Sequence, residues 1–256
     1  MAYIGRDGVQ IYFEDHSSGP AILLSHGYGA TSQMWRGQID ALADRFRVIV
    51  WDMRGHGESD SPADPELYSE AETLTDMAAI LNETDVSQAV VGGLSLGGYM
   101  SLAFHLVHPE RVRGLMLFDT GPGYRNPDGR EAWNERAEKR AAVYEERGLS
   151  STQKAGKEVR LSRHRSAQGL ANAARGMLKQ FDSRVIDSLA EIRVPAMVLM
   201  GELDTPFIAA TDFMAGKIPT AAKVVIADAG HAANIDQPAA FNEALETFLG
   251  ALGTWS

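Results

Sequence analysis

Short apolar runs separated by longer amphipathic stretches constrain the fold of this chain more than any other feature. Most of these runs are continuously apolar, which is typical of strands buried on both faces of a parallel sheet. Their short lengths and the flanking Gly and Pro residues favour strands over buried helices. The predicted strands are residues 9–14, 21–25, 47–52, 89–94, 115–118, 196–200 and 223–227.

Helical periodicity fills most of the intervals between these strands. Apolar residues recur every three or four positions in 33–42, 72–81, 96–107 and 241–249, and Pro109 ends the third of these patterns. Strands that alternate with helices indicate an α/β fold with a mostly parallel sheet.

The alternation stops between Tyr124 and Ala190. This stretch is rich in Arg, Glu, Ala and Lys, which favour helix, and it carries 14 Lys and Arg against 9 Asp and Glu, whereas the rest of the chain carries 10 and 25. We predict that residues 124–190, called the cap segment below, form a helical cap (lid) on a core domain made of 1–123 and 191–256. The alternative is a pair of long surface helices that join two strands.

Composition excludes several classes of protein. The chain has no cysteine, so disulfides and thiol nucleophiles are ruled out. Its formal net charge of −10 disfavours nucleic acid as a partner. It starts without a signal-peptide pattern and contains no apolar run near the ~18 residues of a membrane span. We therefore expect a cytoplasmic protein with a small-molecule partner and no membrane partner; its oligomeric state stays open, with a homodimer among the options.

A glycine-rich turn carries the sharpest functional signal. The sequence Gly-Leu-Ser-Leu-Gly at residues 93–97, followed by Gly98, lies directly between an apolar strand and a helical pattern. A G-x-S-x-G nucleophile elbow lies between a strand and a helix in this way. Its glycines let chain segments approach closely without a Cβ clash. We therefore predict that Ser95 is a nucleophile held at the end of the sheet; the alternative is a purely structural turn.

A serine hydroxyl needs a base before it becomes a good nucleophile. His231 follows the strand at 223–227, and loops at the carboxyl ends of strands are where α/β sheets gather functional groups. His105 and His108 lie on the helix that leads away from Ser95, and His164 lies in the cap segment. We predict His231 as the base, against the alternative of a solvated loop histidine.

Two aspartates compete to orient that base. Asp204 follows the strand at 196–200, and Asp119 follows the strand at 115–118, so both reach the same edge of the sheet. The chain order Ser, Asp, His expected for this motif favours Asp204. Asp119 remains the competitor, and a loop-capping role remains open for Asp204.

Two backbone amides are expected to stabilise the oxyanion that forms when a serine attacks a carbonyl. One belongs to the residue after the nucleophile, Leu96, and the other to the loop His-Gly-Tyr-Gly at residues 26–29, where Tyr28 is the predicted donor. Losing one such donor costs about 10²–10³ in turnover. We interpret His26 as a structural loop residue.

Taken together, several motifs resemble those of the α/β-hydrolase superfamily. They are the loops at 26–29, 52–59, 93–98 and 201–204 and the pair Gly230-His231. The resemblance implies an eight-stranded, mostly parallel sheet flanked by helices, with a helical cap inserted after the sixth strand. The strand absent from the seven above is then expected near residues 1–4, paired with 9–14 through an Asp7-Gly8 turn. The Asp-x-Arg-Gly-x-Gly-x-Ser segment at 52–59 is expected to be structural.

Ser95 narrows the resemblance to the serine-nucleophile branch, because haloalkane dehalogenases and epoxide hydrolases of this fold place an aspartate at that position. The resemblance implies an esterase or lactonase that forms an acyl-enzyme and needs neither a cofactor nor a metal. Three alternatives stay open: a C–C bond hydrolase of a vinylogous diketone, a cofactor-free perhydrolase (haloperoxidase-like), and a receptor-like signalling protein on the same scaffold.

The cap segment is expected to set the substrate. Tyr28, Tyr124, Trp133 and His164 are the predicted substrate contacts, although helix packing explains the aromatic residues as well. A basic cluster at 160–165 is either a solvated helix face or the source of an arginine that binds a substrate carboxylate.

Overall fold

The structure is a computed structural model that describes residues 1–253. Its centre is an eight-stranded sheet in the order β1-β2-β4-β3-β5-β6-β7-β8. The pairs β1–β2 and β2–β4 are antiparallel, and all other neighbouring strands are parallel. The strands are β1 (Ala2–Arg6), β2 (Val9–His16), β3 (Ala21–Ser25), β4 (Arg47–Trp51), β5 (Ala89–Leu94), β6 (Val112–Phe118), β7 (Ala196–Gly201) and β8 (Ala221–Ile226).

The predicted eight-stranded, mostly parallel sheet is confirmed. The expected first strand pairs with β2 through a turn at Asp7 and Gly8, whose φ angles of 53° and 80° suit a tight hairpin. The strand predicted at 115–118 begins three residues earlier, at Val112. The exposed Arg113 interrupts the apolar run and lies at a register shift in the pairing with β5, which continues at the buried Gly114.

Helices cover both faces of the sheet, and each face has its own apolar core. One core packs α2 and α3 against the sheet with residues such as Met77, Ile80 and Phe104, and the other packs α1 and α10 with Trp35 and Phe241. The α-helices are α1 (Arg36–Leu42), α2 (Glu70–Glu83), α3 (Leu96–Val107), α4 (Pro127–Arg147), α5 (Lys157–Arg160), α6 (Ala167–Ala173), α7 (Arg184–Ser188), α8 (Ile208–Lys217), α9 (Ala233–Asp236) and α10 (Pro238–Ala251).

The cap segment lies between β6 and β7 and contains helices only, as far as residues 1–253 are described. One long helix, α4, packs against α6 and the turn that follows α6 through Ala137, Ala141 and Leu170. The indole Nε1 of Trp133 donates to the carbonyl of Leu178 at 2.6 Å. The buried apolar residues of the cap segment belong to the same cluster as the core between the sheet and helices α2 and α3, so the segment packs continuously onto that core. No helix in residues 1–253 is long and apolar enough to cross a membrane.

A buried ion pair ties the 52–59 loop to α2. Arg54 and Asp76 are both fully buried, and the guanidinium donates from Nε and Nη2 to the two carboxylate oxygens at 2.7 and 2.9 Å. Asp76 also accepts from Nε of Arg6 at 2.6 Å. The loop therefore depends on a charge that is buried and paired.

We expect Asp76→Ala to destabilise the fold by about 3–5 kcal/mol, because the buried guanidinium of Arg54 loses its two-bond partner and keeps only the partly exposed Glu72 carboxylate, 3.3 Å away. Asp182→Ala, which removes an exposed partner of Arg184, is the matched control and should cost less than about 1 kcal/mol. Urea denaturation of the three proteins measures the difference. Equal midpoints for both variants would contradict the structural role of the pair.

Candidate active site

Ser95 lies on a strained turn between the end of β5 and the start of α3. Its backbone has φ 53° and ψ −113°, a conformation that L residues rarely adopt. Neighbouring glycines make the turn feasible, because a Cβ on either Gly93 or Gly97 would overlap the carbonyl oxygen of Ser25. The turn thus presents the Ser95 side chain at the carboxyl end of the sheet.

The end of β6 holds this turn in place. The amide of Ser95 donates to the carbonyl of Phe118 at 2.9 Å. The hydroxyl of Thr120 donates to the carbonyl of Ser95 at 2.6 Å. The backbone of the predicted nucleophile is therefore fixed on both sides of its side chain.

The structure brings His231 and Asp204 together. Nδ1 of His231 lies 2.7 Å from Oδ2 of Asp204, which is buried, while the imidazole is about one-third exposed. The ring of Phe207 stacks on the imidazole with centroids 5.1 Å apart. If Nδ1–H donates to the carboxylate, Nε2 remains free as a proton acceptor, which is the tautomer that a general base requires. Within residues 1–253, the Ser95 hydroxyl makes no hydrogen bond of its own.

Asp119 lies next to His231 and Asp204 but makes its hydrogen bond to a backbone amide instead of to the imidazole. One carboxylate oxygen each of Asp119 and Asp204 and one ring nitrogen of His231 lie within 4.8 Å of one another. Oδ1 of Asp119 accepts from the amide of Gly201 at 2.8 Å. Burial, together with the neighbouring Asp204, raises the pKa of Asp119 to about 9. Hydrogen bonding therefore favours Asp204, rather than Asp119, as the residue that orients the imidazole.

Both predicted oxyanion donors have free amides close to the turn. Leu96 is the first residue of α3, so its N–H has no acceptor within the helix. The amide of Tyr28 donates no hydrogen bond within residues 1–253. The 26–29 loop lies against the turn, since a Cβ on Gly27 would come within 3.6 Å of Cβ of Ser95. This placement is compatible with the predicted oxyanion hole.

A cavity of about 140 Å³ opens beside Ser95. Its walls are mostly apolar and come from the turn, the β6–α4 loop, α4 and the start of α8. The lining includes the predicted residues Tyr124 and Trp133. The residues around the cavity are Ser95, Leu96, Tyr99, Thr120, Gly121, Pro122, Gly123, Tyr124, Trp133, Arg136, Leu178, Gln180, Pro206, Phe207 and Ala210.

Two predicted substrate contacts lie outside this cavity. Both ring nitrogens of His164 are engaged, since Nδ1 accepts from the amide of Gly57 at 3.1 Å and Nε2 lies 2.8 Å from the carbonyl of Gly29. The hydroxyl of Tyr28 donates to the carbonyl of Leu170 at 2.8 Å. These two side chains link the core to the cap segment, and neither lines the cavity beside Ser95.

Sequence reasoning missed Arg136, Gln180 and Phe207 in the cavity wall. The one available signal was spacing, because Arg136 follows Trp133 by three residues and shares its face of α4. The basic cluster at 160–165, where sequence suggested an arginine for a substrate carboxylate, contributes no residue to the cavity wall. Its Arg165 pairs with Glu58.

The fold and the geometry around Ser95 define an α/β-hydrolase scaffold with a cavity at the turn that carries Ser95. A family model described as "alpha/beta hydrolase fold" matches residues 20–185. The chain belongs to this family.

Similar proteins span more than one activity. The chain is 30% identical over 253 residues to 3-oxoadipate enol-lactonase 1 of Acinetobacter baylyi, with 91% of this chain and 90% of the lactonase covered. It is 28% identical over 267 residues to the putative 2-succinyl-6-hydroxy-2,4-cyclohexadiene-1-carboxylate synthase of Bacillus subtilis, covering 96% and 97%. A thermophilic esterase from Thermogutta terrifontis superposes with a TM-score of 0.85 at 30% identity, covering 99% and 100%. These relatives support a hydrolase.

Proposed function

We propose that the chain is a serine hydrolase that cleaves a carboxylic ester or lactone of a small substrate. The observation that carries the proposal is the short contact between His231 and Asp204, beside a cavity that the strained Ser95 lines. The names of the lactonase and esterase relatives agree with this reaction class. The cap segment would close over the cavity and select a small-molecule substrate.

The proposed chemistry has two stages. In the first, Ser95 Oγ attacks the substrate carbonyl while Nε2 of His231 takes the hydroxyl proton. The amides of Leu96 and Tyr28 hold the resulting oxyanion. Collapse of this intermediate breaks the C–O bond, and the imidazolium protonates the leaving alkoxide. In the second stage, water attacks the acyl carbonyl while Nε2 of His231 takes a water proton. The acyl–Oγ bond then breaks, the imidazolium returns its proton to Oγ, and the acid and free Ser95 are released.

A substrate panel separates ester and lactone hydrolysis from the other reactions of this fold. Esters and lactones should turn over with the highest kcat/KM. Faster turnover of vinylogous diketones would favour C–C hydrolysis, and peroxide-dependent halide oxidation would favour perhydrolysis. Equal p-nitrophenyl acetate hydrolysis by wild type and Ser95→Ala would favour a receptor-like protein.

Arg136 is expected to favour substrates that carry a second, anionic group. It lines the cavity and has no hydrogen bond or ion pair within residues 1–253. We expect Arg136→Ala to raise KM for esters bearing a free carboxylate by about tenfold, because a charge-assisted hydrogen bond is lost, and to leave neutral esters unchanged. Arg147→Ala removes an exposed arginine of the same helix that lies outside the cavity wall and is the control. Equal KM changes for charged and neutral esters would contradict the role of Arg136.

Chelators should leave the activity unchanged, because the proposed mechanism uses no metal. Asp119, Asp204 and His231 are close enough to be considered metal ligands, so the expectation is worth testing. Turnover measured before and after dialysis against EDTA gives the answer. Loss of turnover that returns with a divalent cation would contradict the metal-free mechanism.

A further inference from the structure

Two carboxyl groups lie side by side behind the imidazole of His231. Asp119 is fully buried and Asp204 is nearly so. Oδ1 of Asp119 accepts from the amide of Gly201, while its Oδ2 has no hydrogen-bond donor within residues 1–253. A buried acceptor without a hydrogen-bond donor lowers the stability of the folded state. A proton on this oxygen would remove that penalty.

Two adjacent carboxyl groups shielded from water do not both ionise, because the two negative charges repel at close range. Asp204 has a stabilising partner for its charge, since Oδ2 lies 2.7 Å from Nδ1 of His231. Asp119 makes no hydrogen bond to the imidazole within residues 1–253, since its Oδ1 accepts from the Gly201 amide instead. The shared proton therefore belongs on Asp119, and Oδ2 is the oxygen free to carry it.

We propose that Asp119 is a positioning residue that keeps its proton on Oδ2 and donates it as a hydrogen bond to the carboxylate of Asp204. The inference rests on the proposed function, because Asp204 matters to catalysis only if His231 acts as the base. Burial and the neighbouring Asp204 raise the pKa of Asp119 to about 9, which agrees with a neutral carboxyl group at physiological pH.

The backbone around Asp119 is arranged to aim this side chain at Asp204. Asp119 has a φ of 44°, and its amide donates to the carbonyl of Leu199 in β7 at 2.9 Å. The next residue, Thr120, bonds the carbonyl of Ser95. The tip of β6 thus holds the nucleophile on one side and the acid on the other. The titratable side chains that face Asp119 are those of Asp204 and His231.

The test compares Asp119→Asn and Asp119→Leu with the wild type. Asparagine can accept from Gly201 through Oδ1 and donate to Asp204 through Nδ2, whereas leucine can do neither. Asp85→Leu is the matched control, because Asp85 also has a positive φ, 52°, but lies on an exposed loop after α2. Circular dichroism confirms that each variant is folded before it is assayed.

We expect Asp119→Asn and Asp85→Leu to keep most of the wild-type kcat at neutral pH. Asp119→Leu should lower kcat by about tenfold or more, with little change in KM, because a displaced acid weakens the base in the chemical step. A kcat for Asp119→Leu equal to that of the wild type would overturn the inference.

The pH profile distinguishes a proton-bearing residue from a merely structural one. When Asp119 ionises, it loses its donor and adds a negative charge beside Asp204. The wild-type kcat should therefore fall as the pH passes about 9, and the Asp119→Asn profile should lack this fall. An identical alkaline fall in both proteins would overturn the inference.

A stability measurement tests the proton without any substrate. The folded pKa of Asp119 lies above the unfolded value of about 3.9, so the stability that the bound proton provides is complete below that pH and disappears as the pH rises through about 9. The melting temperature of Asp119→Asn minus that of the wild type should therefore increase as the pH rises across this window. A difference that stays constant with pH would overturn the inference.

Different results would contradict the proposed function and the proposed role of Asp119. If the wild type turns over esters no faster than Ser95→Ala does, the proposed function fails. The comparison of melting temperatures then still shows whether Asp119 carries a proton. If turnover depends on Ser95 but Asp119→Asn matches the wild type in both pH profile and stability profile, only the inference about Asp119 fails.

Discussion

Ser95→Ala should reduce ester hydrolysis by about 10⁴-fold or more in kcat, the largest effect expected of any single substitution. The variant keeps the fold of the turn, because the hydrogen bonds that fix Ser95 come from its backbone. It removes only the oxygen that would form the acyl bond in the proposed mechanism. Stopped-flow and steady-state assays with p-nitrophenyl acetate measure the loss of kcat, with the protein concentration determined independently.

Ser101→Ala is the matched control for this experiment. Ser101 lies on the same helix, is buried, and bonds the carbonyl of Gly97 one turn back. It should keep the wild-type rate. Similar rates for wild type and Ser95→Ala would contradict nucleophilic catalysis by Ser95, and similar losses in both variants would point to the packing of α3 instead.

Asp204→Asn should reduce kcat by up to about 10⁴-fold, because an amide in place of the carboxylate favours the wrong imidazole tautomer and no longer stabilises the imidazolium. The contact at stake is the 2.7 Å approach of Oδ2 to Nδ1 of His231. KM should change little, since Asp204 does not line the cavity. Initial-rate kinetics on a single ester give both constants.

Asp119→Asn provides the comparison that gives this result its meaning. Asp119 is equally buried and adjacent, but its hydrogen bond goes to Gly201 rather than to the imidazole. It should keep most of the activity. The reverse pattern, with Asp119→Asn inactive and Asp204→Asn active, would move the orienting acid to the end of β6.

Much of the fold follows from sequence because local patterns and burial agree in the core. The continuous apolar runs at 21–25 and 89–94 become β3 and β5, buried along their whole lengths. The turn at residues 93–97 is also recognisable from its sequence, because the close approach of Ser25 requires glycine at positions 93 and 97. The apolar runs and the glycine spacing are local sequence patterns, so both can be recognised before the distant contact with Ser25 is known.

The choice between Asp119 and Asp204 illustrates what local patterns leave open. Because β6 and β7 are neighbours in the sheet, the loops after both strands deliver a carboxyl group to the same place. Chain order favoured Asp204, but only three-dimensional geometry shows which carboxylate contacts His231. Sequence places both carboxyl groups at the same edge of the sheet, and the structure shows that they lie within 4.8 Å of each other and of the imidazole.

The cap segment was the least predictable region, because its contacts span long stretches of chain. His164 bonds Gly57 and Gly29, which lie 107 and 135 residues away. A histidine in a basic cluster gives no sign of such partners. Arg136 is likewise one of many basic residues in the segment, and only the packing of α4 places it at the cavity wall.

A fluorophosphonate probe tests the central claim most directly, because it forms a stable covalent bond only with a serine that is activated as a nucleophile. After reaction and proteolysis, mass spectrometry identifies the modified residue. We predict that the label is found on Ser95 and that His231→Ala suppresses the labelling. Absence of label on the wild-type protein, or label on another residue with Ser95 unmodified, would contradict the account.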